Sequence, residues 1–198
     1  MSHHIYKTEA IILRGLPDGE ANKYLNVFTR ELGLVGAVAR SVREGKSKLR
    51  YGLQDYSISL VSLVRGKDVW RVINTVPISN IYFDLHSKPE NLSAAMRALS
   101  LLKKLVAGEE RHPELYDIAI TGMNFLADAS ISREELSAFQ LVFTLRALSL
   151  LGYAVAEPHL LAATEGNEWN QTVNEFIPFI NEARKAMQKS LQVTQLYQ

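Results

Sequence analysis

The sequence predicts an α+β chain of two domains, a small five-stranded β-barrel over residues 1–80 and an all-helical domain over residues 81–198. Three observations predict it. Apolar residues alternate with period two in five short runs before Pro77, and after Ser87 they recur with a period near 3.6. Turn residues separate the runs. An open sheet this small would leave its edges exposed, so the strands are expected to close on themselves.

Taken in order, Tyr6–Arg14 carries Ala10, Ile11, Ile12 and Leu13, apolar on both faces at its centre and therefore a central strand. Pro17-Asp18-Gly19 ends it with turn chemistry. Leu25, Val27 and Thr29 alternate with Asn26, Phe28 and Arg30 in a second strand; after a turn at Leu32-Gly33, Leu34–Ala39 is a third. A basic loop follows. Asp55–Leu63 is a fourth strand, whose alternation of Tyr56, Ile58 and Leu60 with Asp55, Ser57 and Ser59 predicts one wet face. Arg65-Gly66-Lys67-Asp68 is a hairpin turn, and Val69–Thr75 returns as a fifth strand that Pro77 is expected to stop.

The apolar connector from Pro77 to Lys88 should lie against the body. Ser87 and Glu90 have capping-box spacing ahead of an apolar stripe through Leu92, Met96, Leu99, Leu102 and Val106. Pro113 opens a second helix, and Ser132 with Glu135 caps a third that runs to Leu151 and stops at Gly152. Register is lost through Glu165-Gly166-Asn167, and a last helix with Ile180, Ala183, Met187 and Leu191 on one side begins near Pro178.

Composition excludes several classes of function. The chain has no cysteine, which rules out disulfides, thiolate zinc sites, thiol catalysis and Fe–S clusters. Its apolar runs are short and broken by charge, and Met1–Tyr6 has no signal-peptide core, so a cytoplasmic protein without a membrane span is expected. Neither a GxxxxGK phosphate loop nor a GxGxxG fingerprint occurs. His86, His112 and His159 stand alone in the sequence, and the adjacent pair His3-His4 lacks a third ligand. Glu109-Glu110 and Glu134-Glu135 read as helix-end charges. No catalytic residue, cofactor or metal is therefore expected.

Binding is better marked. The formal charge of +1 divides unevenly, with twelve basic and eight acidic residues in 1–86 against ten and thirteen in 87–198. Most of the basic excess lies in one loop, where Arg40, Arg43, Lys46, Lys48 and Arg50 accompany a single anion, Glu44, with Gly45 and Ser47 loosening the backbone. Such a segment stays solvated or meets an anion. Small barrels of the OB type hold oligonucleotides on one face, with cations along the phosphates and aromatic rings under the bases. Tyr6, Tyr24, Phe28, Tyr51, Tyr56 and Trp70 supply rings in this half. Phe28 and Tyr56 read as core, and Tyr51, beside Arg50, as the ring for a base; Lys23 and Arg30 are possible flankers of the cationic loop. A protein scaffold meeting an acidic partner and an OB module for structured RNA remain alternatives at this level.

Several spaced motifs carry a resemblance. Tyr6-Lys7-Thr8-Glu9-Ala10-Ile11-Ile12-Leu13, Gly19-Glu20, Phe28-Thr29-Arg30-Glu31-Leu32-Gly33, Ala39-Arg40, Ser47-Lys48-Leu49 and Leu53-Gln54 occur in that order. The run resembles the amino-terminal region of the bacterial recombination mediator family RecO, and Phe143–Tyr153 resembles the helix that ends in Leu-Gly-Tyr in that family. The resemblance implies an OB-type domain on a helical domain and no catalytic turnover. It also implies binding of single- and double-stranded DNA, annealing of complementary strands, and contacts with the single-strand DNA-binding protein and with RecR during loading of RecA. Many members carry a four-cysteine zinc module after Leu-Gly-Tyr, which Ala154–Trp169 cannot form. Members also often place basic residues just before the Phe143 position, where the acidic tail of the single-strand DNA-binding protein docks. Here Leu141-Val142 stand there, so the expected partner-binding set becomes Arg146 with Arg97, Lys103 and Lys104.

Overall fold

The computed structural model describes residues 4–106, 108–128, 130–153, 157–166 and 168–193, with side chains as far as Met187. The readings made for Met1–His3, Ala154–Ala156, Asn167 and the Leu191 side chain lie outside the described residues. Two compact units divide the chain, one of residues 1–87 with 106–116, the other of residues 88–105 with 117–198.

The first unit is built on β1 (Ile5–Asp18), β2 (Asn22–Thr29), β3 (Gly33–Ala39), β4 (Ser57–Arg65) and β5 (Trp70–Asn80), closed in the order β1-β2-β3-β5-β4. All neighbours are antiparallel except β3 and β5, which pair in parallel over Ala37↔Trp70 and Val38↔Arg71. The barrel is filled from alternate positions, among them Ala10, Ile12, Leu25, Val27, Ala37, Leu63 and Val72. β1 is buried on both faces at its centre because Ile11 also forms an outward row with Phe28 and Ile58, its partners on β2 and β4, and Tyr116 covers Phe28 at 5.8 Å between rings.

Residues 108–116 strap this unit. The Leu34 amide donates to Gly108 O at 2.9 Å, and Arg111 pairs with Glu31 at 2.9 Å. Gly33 has φ +71, and a Cβ there would stand 2.1 Å from Glu110 O, so both backbone conformation and close approach require glycine. Glu109 accepts from the Arg65 guanidinium and from Trp70 Nε1, the latter at 3.1 Å, while Arg65 lies 4.9 Å over the Trp70 ring. The helix-end role read for Glu109 is therefore corrected: it is a latch between the β4–β5 hairpin and the strap. The Arg65 bond, and secondarily Trp70, hold its carboxyl below the usual carboxylate range. A depressed folded-state pKa contributes stability above the unfolded value and loses it as pH falls through the folded one. Acidification below about pH 4 is thus expected to lower the melting temperature of the wild type more than that of Glu109→Gln, read by thermal denaturation at paired pH values.

Three strand expectations are corrected. Ser57 and Ser59 share parity with Val61 and Leu63, so they face inward and Leu60 faces out, 41% exposed. Period two separates the faces of a strand but does not say which is inside. The buried hydroxyls find partners: Ser59 Oγ donates to Gly52 O at 2.8 Å, and Asn80 Nδ2 donates to Ser57 Oγ at 3.0 Å. β5 runs through Pro77 to Asn80, because beyond Arg71 no pairing to β3 continues and a register shift beside Ser59 accommodates the proline. β1 likewise continues through Pro17 to Asp18, so the turn falls on Gly19–Ala21. The connector is a short helix, α1 (Ile81–Leu85), capped by Asn80; Ile81 and Leu85 are buried, but Ile78, Tyr82 and Phe83 are exposed rather than packed.

The second unit contains α2 (Pro89–Leu105), α3 (Pro113–Asp128, from Asp117 on), α4 (Arg133–Leu150), α5 (Pro158–Ala162), α6 (Trp169–Phe176) and α7 (Ile180–Val193). The capping box read at Ser132 and Glu135 is present in both directions, and Gly152 follows the end of α4 in a positive-φ turn. The sequence reading missed α5 and α6. The core is aromatic, with Phe125, Phe139 and Phe143 around Trp169 at ring separations of 5.0 to 6.3 Å. Among the described residues no helix is long and apolar enough to cross a membrane.

Candidate nucleic-acid interface

The basic loop between β3 and β4 is held at both ends and in the middle. Val42 and Leu53 are buried in the barrel core and Leu49 packs against it, so three apolar residues anchor a segment whose charged side chains are exposed. At its start the Ser41 amide donates to Asn22 Oδ1 at 3.0 Å, the Arg43 amide to Ala21 O at 3.0 Å and Arg43 Nη1 to Gly19 O at 2.8 Å, tying the loop to the β1–β2 turn. Successive backbone turns link Glu44 to Ser41, Ser47 to Glu44 and Arg50 to Ser47. The segment is therefore more ordered than its glycine and serine suggest. At its end Asp55 Oδ1 accepts from the Gly15 amide at 2.9 Å, and Tyr56, half-buried at φ +66, donates to Ile12 O.

Arg40, Arg43, Lys46, Lys48 and Arg50 are all exposed, and among the described residues none of them is ion-paired with a carboxylate. Tyr51 is 73% exposed beside them. The two flankers differ. Arg30 pairs with Glu31 at 3.3 Å, and Lys23 lies half-buried on the same face of β2 as the core residue Leu25, its stem beside Gly15.

Sequence reasoning missed two cations. Arg40 shares a cleft of about 310 Å³ with Lys67 and Arg71, walled by Asp18 and Asn22 from the β1–β2 turn and by Asp68 from the β4–β5 hairpin. Lys67 reads as turn chemistry and Arg71 as one polar residue of a strand. Only the parallel pairing of β3 with β5 brings Arg71 level with Val38, and so beside Arg40. A signal exists in retrospect: Arg71 alternates with the core residues Trp70 and Val72, which puts its charge on the outer face.

The helical unit has a different surface. A groove of about 620 Å³ between α2, α4 and α7 places Arg97, Arg133 and Arg184 around Leu136, Leu141 and Met187. Arg133 also pairs with Glu90 at 3.1 Å. Of the partner-binding residues expected from sequence, only Arg97 lines this groove. Lys103 and Lys104 are exposed in the last turn of α2. Arg146 turns into its own unit: Nε donates to Thr164 O at 2.7 Å, Nη2 to Gly166 O at 2.9 Å, and the guanidinium lies 4.4 Å over Trp169, with burial pulling its pKa down.

No cysteine is available for a four-thiolate zinc site. Glu157, His159 and Glu182 each offer a donor atom within 4.8 Å of the others, but His159 and Glu182 already satisfy one another at 2.9 Å on the surface.

Comparison with known proteins fits this architecture. A family model described as the N terminal of recombination protein O matches residues 1–81, and one described as its C terminal matches residues 86–157. The DNA repair protein RecO of Alkaliphilus metalliredigens is 28% identical over 177 residues, which is 86% of this chain and 69% of that protein. That of Heliobacterium modesticaldum is 32% identical over 149 residues, 75% of this chain and 52% of the relative. That of Dehalococcoides mccartyi is 30% identical over 150 residues, 76% and 57% respectively. The chain thus spans between about half and two thirds of the length of these relatives. Two consecutive family models, one on the barrel and one on the helices that follow, are matched in their proper order, and this chain belongs to the RecO family.

Proposed function

We propose that this chain binds DNA as a polyanion through its barrel unit and anneals complementary strands in DNA repair and recombination, without breaking a covalent bond. The observation that carries the reading is the convergence of Arg40, Lys67 and Arg71 in one cleft at the end of the barrel, continued along the loop by Arg43, Lys46, Lys48 and Arg50; Asp18 and Asp68 wall the cleft, but among the described residues none of these seven cations is ion-paired with a carboxylate. Two phosphate backbones repel, and a protein that neutralises phosphates on both lowers the barrier to their pairing. Phosphate contacts of this kind set affinity and its salt dependence with little sequence preference. The curated relatives are DNA repair proteins, which supports DNA as the polyanion over RNA.

The arginine-lined groove of the helical unit suits an acidic segment with apolar side chains. Arg97, Arg133 and Arg184 give it local positive charge although residues 87–198 are net −3. We assign it to the acidic tail of the single-strand DNA-binding protein. RecR, and RecA through it, follow from family membership alone, as does a cytoplasmic, nucleoid-associated location. If about four phosphates are engaged on a single strand, the log–log salt slope of affinity is about −3, from roughly 0.7 per contact. Strand annealing measured against DNA and RNA competitors, with and without the single-strand DNA-binding protein, tests the reading. A salt-independent affinity overturns the electrostatic account, and preference for RNA at equal salt overturns the choice of polyanion.

A further inference from the structure

The outer face of the barrel beside the cationic cleft carries one aromatic ring in an unusual seat. Leu16, Tyr24, Val38 and Arg71 are cross-strand partners in sequence across β1, β2, β3 and β5, so their side chains form a single row. The row points outward, because Leu25, Ala37, Trp70 and Val72 at the intervening positions are core. Tyr24 leans along the strand over Gly36. A Cβ at Gly36 would stand 2.1 Å from the Tyr24 hydroxyl and 2.9 Å from Cζ, so the missing side chain is what lets the ring lie down on β3. It remains 39% exposed, with no ring stacked on it among the described residues, and Leu16, 43% exposed, continues the apolar surface. At the other end of the row Arg71 opens into the cleft with Arg40 and Lys67.

We propose that Tyr24, seated on Gly36, is a stacking platform for one unpaired nucleobase whose flanking phosphates lie in the Arg40–Lys67–Arg71 cleft. This rests on the polyanion reading above and adds selectivity to it. Every base has a π-face, so the platform is indifferent to sequence. In a duplex those faces are covered by neighbouring bases, so only an unpaired strand gains from the ring, while phosphate contacts serve both forms. The platform therefore biases an otherwise indiscriminate cationic surface toward single strands. Tyr51, the ring favoured from sequence, stands on the loop with no such seat.

The test uses the full chain and a fluorescent oligothymidylate, alone, with abasic sites, and as a duplex. Tyr24→Ala should weaken single-strand binding about five- to a hundredfold, leave duplex affinity and the salt slope unchanged, and Tyr24→Phe should restore the wild-type value. Gly36→Val, which forces the ring off β3, should match Tyr24→Ala. Abasic substitution should cost the wild type the same factor and cost Tyr24→Ala nothing further. If Tyr24→Ala binds single strands as the wild type does, or if its loss adds to the abasic loss, the platform is overturned while a salt-dependent wild type keeps the polyanion reading. A wild type whose affinity ignores salt overturns both. Photocrosslinking of a bromouracil-substituted strand, mapped to Tyr24 or elsewhere in the wild type, decides the matter should a variant misfold.

Discussion

Replacing Arg40, Lys67 and Arg71 together with alanine should reduce the log–log salt slope of single-strand binding by about 2 and affinity near 0.1 M salt by about a hundredfold, both from roughly 0.7 per phosphate contact. All three side chains are exposed, so the variant should fold and melt as the wild type does, surface substitutions typically staying within about 0.5 kcal/mol. Duplex affinity should fall as well, with a slope change of about 2.7 from roughly 0.9 per contact, because duplex and single strand present the same charged groups. That separates the cleft from Tyr24, whose loss is expected to spare the duplex. The triple variant of the loop, Lys46→Ala, Lys48→Ala and Arg50→Ala, should act in the same direction. Lys103→Ala with Lys104→Ala, which alters the helical unit at the end of α2, should leave the slope unchanged. An unaltered slope in the cleft variant, measured by anisotropy between about 50 and 200 mM salt, a range over which phosphate contacts change affinity by orders of magnitude, would remove the cleft from the interface.

The cleft also shows where reading a sequence stops. Strand count, barrel closure and the helical second half follow from local period and turn chemistry, and the capping box at Ser132 and Glu135 is where its spacing puts it. The loop cations are legible because charge in a short segment is a local property. Lys67 and Arg71 were not, because they join Arg40 only through the parallel pairing of β3 with β5, strands separated by the loop and by β4. Tyr24 depends on Gly36, twelve residues on, and neither residue is distinctive alone. The inverted face of β4 failed for another reason: Ser57 and Ser59 are buried by hydrogen bonds to Asn80 and to the loop at Gly52, partners that composition does not announce. α6 was lost because Trp169, the residue that commits it to the core, follows the polar run Glu165–Glu168 that reads as a turn.

That tryptophan gives the largest expected change in stability. Trp169 is 5% exposed, with Phe139 at 5.0 Å, Phe125 and Phe143 at 6.3 Å, and its Nε1 donating to Thr121 Oγ1 at 2.9 Å. Removing so large a ring from a close-packed site costs about 3–5 kcal/mol, a large part of the roughly 5–15 kcal/mol that holds a domain folded. It also strips the aromatic face beneath Arg146, leaving a partly buried guanidinium to depend on Thr164, Gly166 and Thr172 alone. Trp169→Ala should therefore unfold the helical unit at lower denaturant, with loss of near-ultraviolet dichroism. Trp169→Phe, which keeps most of the area and the ring face but drops the Thr121 bond, should cost about 1 kcal/mol for that bond with a smaller packing loss beside it. The barrel has its own core and the cationic cleft lies wholly within it, so single-strand affinity of Trp169→Ala, measured below its unfolding midpoint, should stay within about twofold of wild type, a change under roughly 0.5 kcal/mol. A collapse of affinity under those conditions would mean that the helical unit supplies part of the nucleic-acid surface, and the cleft would no longer account for binding by itself.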